Sequence, residues 1–416
     1  MNVEYLLGRW WRYADPRLSS NRRRHVGLLA FFSISLLVSM SLSQMANFEQ
    51  GSLQYWLLVG MAAFIPALNI EGVVQALLGP ARWLLAFLVL AGTWHLARGD
   101  AKAFLQLGLL VFVLAWLTVP SVTFKVRDVE LLYVLMVAIG VAIATLTDFT
   151  PYGLVPGRTM EEFGALRVSF FPNVAYTGIF SLGLVMLLTR DRAHAMRRPW
   201  LLALATYFLV FSLVRTALIG LVVYALLRWW FDRKPAVTSG QLFWSALATA
   251  VVVNLVIAVS PVVIQQAQQL PLVSQIFLQG KSDLGAEEIM AQMYRPWLWL
   301  QQVGLFLSSP YLMGWGSFDF FEMVVLPFDD RSISAGTESL PTRLLSSYGW
   351  PTLLFIGFLI GQLRRSAKNC DRWAVACFPV VLLLLMQWGS VFHPSDSMFL
   401  LFMLMLAKGS RGYAWQ

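Results

Sequence analysis

Apolar runs of about 17–22 residues recur along almost the whole chain, each long enough to cross roughly 30 Å of hydrocarbon as a helix. Such a chain has few folds open to it. Within lipid, every backbone N–H and C=O must be satisfied inside a helix or a closed barrel. Barrel strands would be shorter and would alternate in polarity, a pattern this sequence lacks. The reading is therefore all-α: a polytopic transmembrane helical bundle. Composition points the same way, with 58% of the 416 residues hydrophobic and 13% charged, too few charges to cover a water-soluble domain of that size.

Spans are expected at 26–43, 53–70, 80–97, 103–120, 129–147, 170–189, 199–213, 215–231, 241–260, 341–361, 373–391 and 396–410, about 12 in all. The third is interrupted near its start by Gly79 and Pro80. Before the first span, VEYLLGRWWRY and NRRRH within residues 1–25 read as an interfacial helix. That stretch is too long and polar for the n-region of a cleaved signal peptide. The chain thus divides into 1–260 (the interfacial segment and spans 1–9), a large loop at 261–340, and 341–416 (spans 10–12).

Basic residues set the orientation. With the N-terminus inside, 22 of the 31 Lys and Arg fall on the cytoplasmic side and 9 outside. The inner set includes Arg190, Arg198, Arg228, Arg365 and Arg372; the outer set includes Arg167, Arg215, Arg295 and Arg343. Both termini are then cytoplasmic and residues 261–340 face outward, carrying Asp283, Glu287, Glu288, Asp319, Glu322, Asp329, Asp330 and Glu338. The net charge of +9 is dispersed over short loops, which argues against a nucleic-acid partner and for contact with membrane lipids.

The outer loop is too apolar to float free. VVIQQAQQLPLVSQIFLQG and PWLWLQQVGLFLSS read as short helices resting on the bundle mouth. Pro296 suits the first residue of the second helix, which puts Arg295 at an N-terminal entry beside free backbone N–H groups. GWGSF, after Pro310, reads as a glycine turn closing that helix. No P-loop, GxGxxG or HExxH is present, and no cofactor is indicated. Cys370 and Cys377 are too few and too close for a disulfide framework, and no Cys/His cluster has zinc spacing. Asp329 and Asp330 beside Arg331 read as a solvated acidic turn, so no metal site is assigned.

Outer arginines near the membrane carry the chemistry. Arg215 opens a span in LVRTALIGL, where a guanidinium is costly without a partner or a wet cavity. Arg167 precedes the sixth span in LRVSFFPN. Together with Arg295 these would form a cationic pocket, and planar guanidinium donors suit the paired oxygens of a diphosphate. The plainer alternative is that each snorkels to lipid phosphate or pairs with an acid. Glu338, in GTESLPTRLL before the tenth span, is the candidate general base, or else an acid favoured by a helix N-terminus. Arg343 would orient Glu338 or touch phosphate. His393, in VFHPSDSMF with Asp396 nearby, is the weaker alternative base.

This pattern resembles the bacterial O-antigen polymerase and O-antigen ligase superfamily, which shares about a dozen spans and one large periplasmic loop between spans 9 and 10. The matching residues are Arg167 with Phe171, Pro172 and Asn173; Arg215 in RTALIGL; Arg295 with Trp299; Pro310 with Gly314 and Gly316; and the polar segment ending in Gly349. The resemblance implies a metal-independent, inverting glycosyltransferase of the bacterial inner membrane. It would act on undecaprenyl-diphosphate-linked glycans, as donor and acceptor, at the periplasmic face. Arg215 and Arg295 are then expected to hold the diphosphate. Ligases of the family carry a His-Asn pair shortly before the tenth span; here Thr337-Glu338-Ser339 stands, which favours the polymerase branch. A ligase acting on lipid A core is the alternative. A lipid-linked sugar flippase fits less well, since no pseudo-repeat of halves is visible. Whether a chain-length regulator or a flippase docks on the chain is left open.

The orientation makes a direct prediction. In a background lacking Cys370 and Cys377, Asp283→Cys should react with a membrane-impermeant maleimide on spheroplasts. Arg233→Cys should react only after the membrane is opened. Labelling of both from the outside would overturn the assignment.

Overall fold

The computed structural model describes residues 70–119, 126–146, 167–170, 174–190, 192–234, 236–271, 295–317 and 339–387, with residues 67, 273, 278, 285, 289 and 323 singly. The expected spans 26–43 and 396–410, almost all of 53–70, and the interfacial segment lie outside them. Among the described residues every regular element is helical. In chain order these are α1 (Ile70–Leu78), α2 (Arg82–Ala97, with a π turn at Leu88–Gly92), α3 (Ala101–Thr118), α4 (Val126–Leu146), α5 (Val174–Leu188) and α6 (Arg192–Arg197). They continue with α7 (Pro199–Phe211), α8 (Arg215–Arg233), α9 (Ser239–Ala267), α10 (Arg295–Ser308), α11 (Leu340–Tyr348), α12 (Thr352–Lys368) and α13 (Arg372–Gln387).

By length and composition α3 and α9 are each able to cross a membrane, and α1 with α2 makes a third if the pair is one broken span. Shorter apolar helices cover Val129–Ala142, Thr177–Leu188, Pro199–Phe211 and Arg372–Gln387. That is the make-up of a helical membrane protein; the figure of 12 spans stands as an expectation from sequence.

Four boundaries differ from expectation, each for a local reason. Residues after 70 form α1, which meets α2 at 88° across Gly79 and Pro80. Its face with Val73 and Ala76 is buried, while Ile70, Val74 and Leu78 are exposed. The sixth span starts at Val174 instead of 170: residues 167–170 are not helical, and the Val168 N–H bonds the Phe211 carbonyl at 2.8 Å. α9 continues through Pro261 to Ala267, past the expected end at 260. Thr238 starts it with a capping box, its hydroxyl accepting from the Gln241 N–H while the Gln241 side chain accepts from the Thr238 N–H.

The expected tenth span, 341–361, is two helices. Gly349, at φ +70°, breaks the path after α11, and Pro351 leads into α12. The nine residues of α11 extend only about 13 Å at roughly 1.5 Å per residue, too short to span. The longer of the two is α12, with 17 residues, and Arg343 sits on the short helix that precedes it.

Packing sorts the bundle into two ends. At one, the Arg372 Nη1 donates to the Phe231 carbonyl at 2.8 Å, and the Trp373 Nε1 to the Met186 carbonyl at 2.8 Å. Thr189 and Tyr224 are hydrogen-bonded at 3.0 Å in the same region. These contacts tie the C-terminal parts of α5 and α8 to the start of α13, so α13 runs antiparallel to both. Arg190 lies over the Trp373 ring there, and the Arg365 Nη2 reaches the Pro80 carbonyl at 3.5 Å. Arg198 pairs with buried Glu130 at 2.7 Å. At the other end stand the starts of α5 and α8, the finish of α13 at Gln387, and the attachments of α10 and α11.

Gly349→Ala is expected to lower the apparent melting temperature in detergent. A side chain at φ +70° is strained by about 1–3 kcal/mol, and its Cβ would run into the Leu312 carbonyl. Gly361→Ala, inside α12 with open space around it, is the control and should melt no lower than wild type.

Candidate functional site

Arg167, Arg215, Arg295 and Arg343 all fall at the Gln387 end of the bundle, each half-buried. Arg167 begins the non-helical segment 167–170. That segment is held by the Val168 bond to Phe211, by a 2.7 Å hydrogen bond between Ser169 and Thr177, and by Phe170 edge-on to Phe208. The buried Arg167 Nε has no hydrogen-bond partner among the described residues.

The segment ends beside the turn that delivers Arg215. After α7 the backbone passes through Ser212, then Leu213 at φ +50°, then extended Val214. The Ser212 hydroxyl donates to the Leu209 carbonyl at 2.9 Å. Gly178 of α5 leaves room for this turn, since a Cβ there would come within 2.7 Å of Val214. Arg215 is the first residue of α8.

Arg295 is likewise the first residue of α10, one position before the start expected at Pro296. Its Nη1 donates to the Gln387 Oε1 at 3.1 Å, linking the loop helix to the tip of α13. Leu298, Trp299, Gln302 and Leu305 form the buried stripe of α10, and Arg295 lies on the same side by helical spacing. α11 packs against that stripe. The Thr342 hydroxyl donates to the Gln302 Oε1 and lies 2.8 Å from the Ser339 Oγ, while Ser339, at φ +89°, sits 3.8 Å from the Met386 sulfur. Arg343 is the next residue, in the first turn of α11.

A glycine turn fixes the far end of α10, as expected. Trp315 and Gly316 donate their N–H groups to the carbonyls of Ser346 and Ser347 at 2.9 and 2.8 Å, and the Trp350 N–H bonds the Leu312 carbonyl at 2.9 Å. Gly314, at φ +80°, has no room for a side chain, because a Cβ would strike the Ser347 carbonyl.

Three participants escaped the sequence reading. Asp100 caps α3 by accepting from the Ala103 N–H at 2.9 Å, and it also accepts from the Ser317 N–H and hydroxyl, both at 2.7 Å. It thereby pins the residue after the glycine turn. Beside it, buried His95 packs edge-on to Tyr348, whose hydroxyl donates to the Ala103 carbonyl at 3.0 Å. Gln387 is the third. The sequence around Asp100, ARGDAKAF, carries a cap signal, but a partner 217 positions away has none.

Burial by itself would raise the Asp100 carboxyl, but the Ser317 and Ala103 N–H groups and the Ser317 hydroxyl outweigh it, with His95 acting in the same direction. The carboxyl is held below its ordinary value of 3.8.

Both candidate bases, Glu338 and His393, lie outside the described residues, as do Asp329 and Asp330. Among the described residues no three His, Cys, Asp or Glu side chains gather. A cavity of about 160 Å³ opens between α3, α12 and α13, with Gln362, Arg365, Ser366 and Asn369 at the end away from the arginines. Its walls are otherwise mostly apolar, and none of Arg167, Arg215, Arg295 and Arg343 lines it. No protein-family model matches the chain, and no curated protein matches it.

Because the folded state holds Asp100 more acidic than the unfolded chain does, its contribution is complete above pH of about 4 and is lost as pH falls through the folded value. Wild type should therefore melt above Asp100→Asn by a constant margin at neutral pH, and the margin should shrink in acid. A margin that does not change with pH would show that the carboxylate charge is not what holds Ser317.

Proposed function

We propose that this chain is a polysaccharide polymerase that joins undecaprenyl-diphosphate-linked repeat units at the periplasmic face of the bacterial inner membrane. One observation carries the reading. Arg215 and Arg295 each begin a helix, Arg343 lies in the first turn of a third, and all three are at one end of the bundle with Arg167. Guanidinium groups and helix N-termini at one end of the bundle make a region of positive potential that draws an anion. A diphosphate is such an anion, and its two phosphates match forked guanidinium donors.

In the proposed reaction an acceptor hydroxyl oxygen attacks the anomeric carbon of the donor sugar from the face opposite the leaving group. The new glycosidic C–O bond forms as the bond to the diphosphate oxygen breaks. The hydroxyl proton passes to a base, for which Glu338 is the first candidate and His393 the second. The bonding pair leaves with undecaprenyl diphosphate, where Arg215 and Arg295 stabilise the gathering charge. No metal is needed in this scheme, because the guanidinium groups supply the countercharge.

The test is in vitro. Purified protein in nanodiscs, given the host's lipid-linked repeat unit without metal or nucleotide, should make a ladder of lengthening product. Arg215→Ala or Arg295→Ala, inserted normally, should slow it by about 100-fold or more. Ladders of ordinary length from both variants would sink the proposal. Transfer only when lipid A core is supplied would assign the ligase reaction instead.

A further inference from the structure

The Gln387 side chain is buried, with 5% of its surface exposed, at the last turn of α13. Its Oε1 accepts from Arg295, and its Nε2 has no hydrogen-bond partner among the described residues. The amide cannot be turned round to cure this. A guanidinium has only donors, so the oxygen must face Arg295 and the NH₂ must face away. A buried donor left unmade is costly enough that native interiors rarely keep one. Trp299, one helical turn beyond Arg295 and 7% exposed, repeats the pattern with an unpartnered Nε1, and Arg167 Nε is a third buried donor without a partner. All three deficits are of acceptors. An acceptor rich in oxygen lone pairs, and poor in donors, would answer the Gln387 Nε2.

We infer that Gln387 is a ligand-binding residue: its carboxamide oxygen holds Arg295 in place while its Nε2 donates to an oxygen of a bound phosphate or diphosphate. This rests on the arginine end being the diphosphate site, and it adds a neutral residue whose two polar atoms serve different partners. Replacing it by glutamate separates the two roles. Glutamate keeps an oxygen for Arg295, indeed a charged one, but it removes the donor and sets a negative charge against the incoming anion.

The experiment measures farnesyl diphosphate binding by calorimetry to wild type and Gln387→Glu in zwitterionic nanodiscs at fixed ionic strength, with farnesol as the uncharged control. Wild type should prefer the diphosphate. Gln387→Glu should bind it about tenfold or more weakly while melting no lower than wild type. Equal affinity in the variant would overturn the inference and leave Nε2 to a buried water. If Gln387→Glu fails to fold, Gln387→Met, of similar length and without charge, removes both polar atoms, and binding equal to wild type in that variant would overturn the inference.

Two further arms identify the source of the phosphate. Competition by inorganic diphosphate as strong as that of farnesyl diphosphate would assign a free anion. Loss of binding in nanodiscs rich in phosphatidylglycerol would assign a bilayer headgroup. The polymer ladder is scored separately. Wild type that binds the diphosphate but makes no ladder loses the reaction and keeps Gln387. A ladder with unchanged binding in Gln387→Glu does the reverse. No preference over farnesol in wild type would remove both.

Discussion

The backbone hydrogen bonds from Trp315 and Gly316 to the carbonyls of Ser346 and Ser347 are what the arginine end depends on. They join the end of the loop helix α10 to the last turn of α11, and they require bare backbone at positions 314 and 349. Two other attachments approach from different sides. Thr342, itself beside Ser339, meets Gln302 midway along α10, and Asp100 reaches across from the start of α3 to Ser317. Arg295 then closes the far end of the helix onto Gln387. A helix fastened at both ends and in the middle presents its first residue in one position, which is what a binding group needs.

Arginine is held by different contacts at the two ends of the bundle. Arg233 lies in the last turn of α8, and Arg365 and Lys368 in the last turn of α12, where the carbonyl end of a helix favours a cation. Arg372, which begins α13, donates there to a carbonyl, and Arg190 lies over an indole face. At the other end Arg215 and Arg295 also begin helices, and Arg295 is fixed by a side-chain amide whose own NH₂ has no partner among the described residues.

Much of the helical class was legible because lipid removes alternatives to helix, and runs such as LIGLVVYALL therefore speak plainly. The starts at Arg215 and at Arg295-Pro296 were also readable, since a basic residue before an apolar run and a proline at the first turn are local signals. The break between α11 and α12 was signalled by Gly349 and Pro351, but the apolar residues on either side masked it. What could not be read were partnerships of long range: Asp100 with Ser317, and Arg295 with Gln387, 92 positions apart. A glutamine at the end of an apolar run has no pattern that announces a guanidinium above it. Glu338 and His393 rest on the sequence and the resemblance alone.

The 29 residues of α9 extend about 43 Å, well beyond the roughly 30 Å of a bilayer's hydrocarbon. Much of its surface is exposed valine and leucine, from Val251 to Val263. A helix longer than the lipid around it must tilt, bend at its proline or draw the lipid up around it, and the balance shifts with membrane thickness. α9 lies against α13 and also touches α10, the two helices that Arg295 and Gln387 join. Hydrophobic mismatch along α9 is thus a mechanical input to the arginine end, which makes the thickness of the surrounding bilayer a variable in how that end is set.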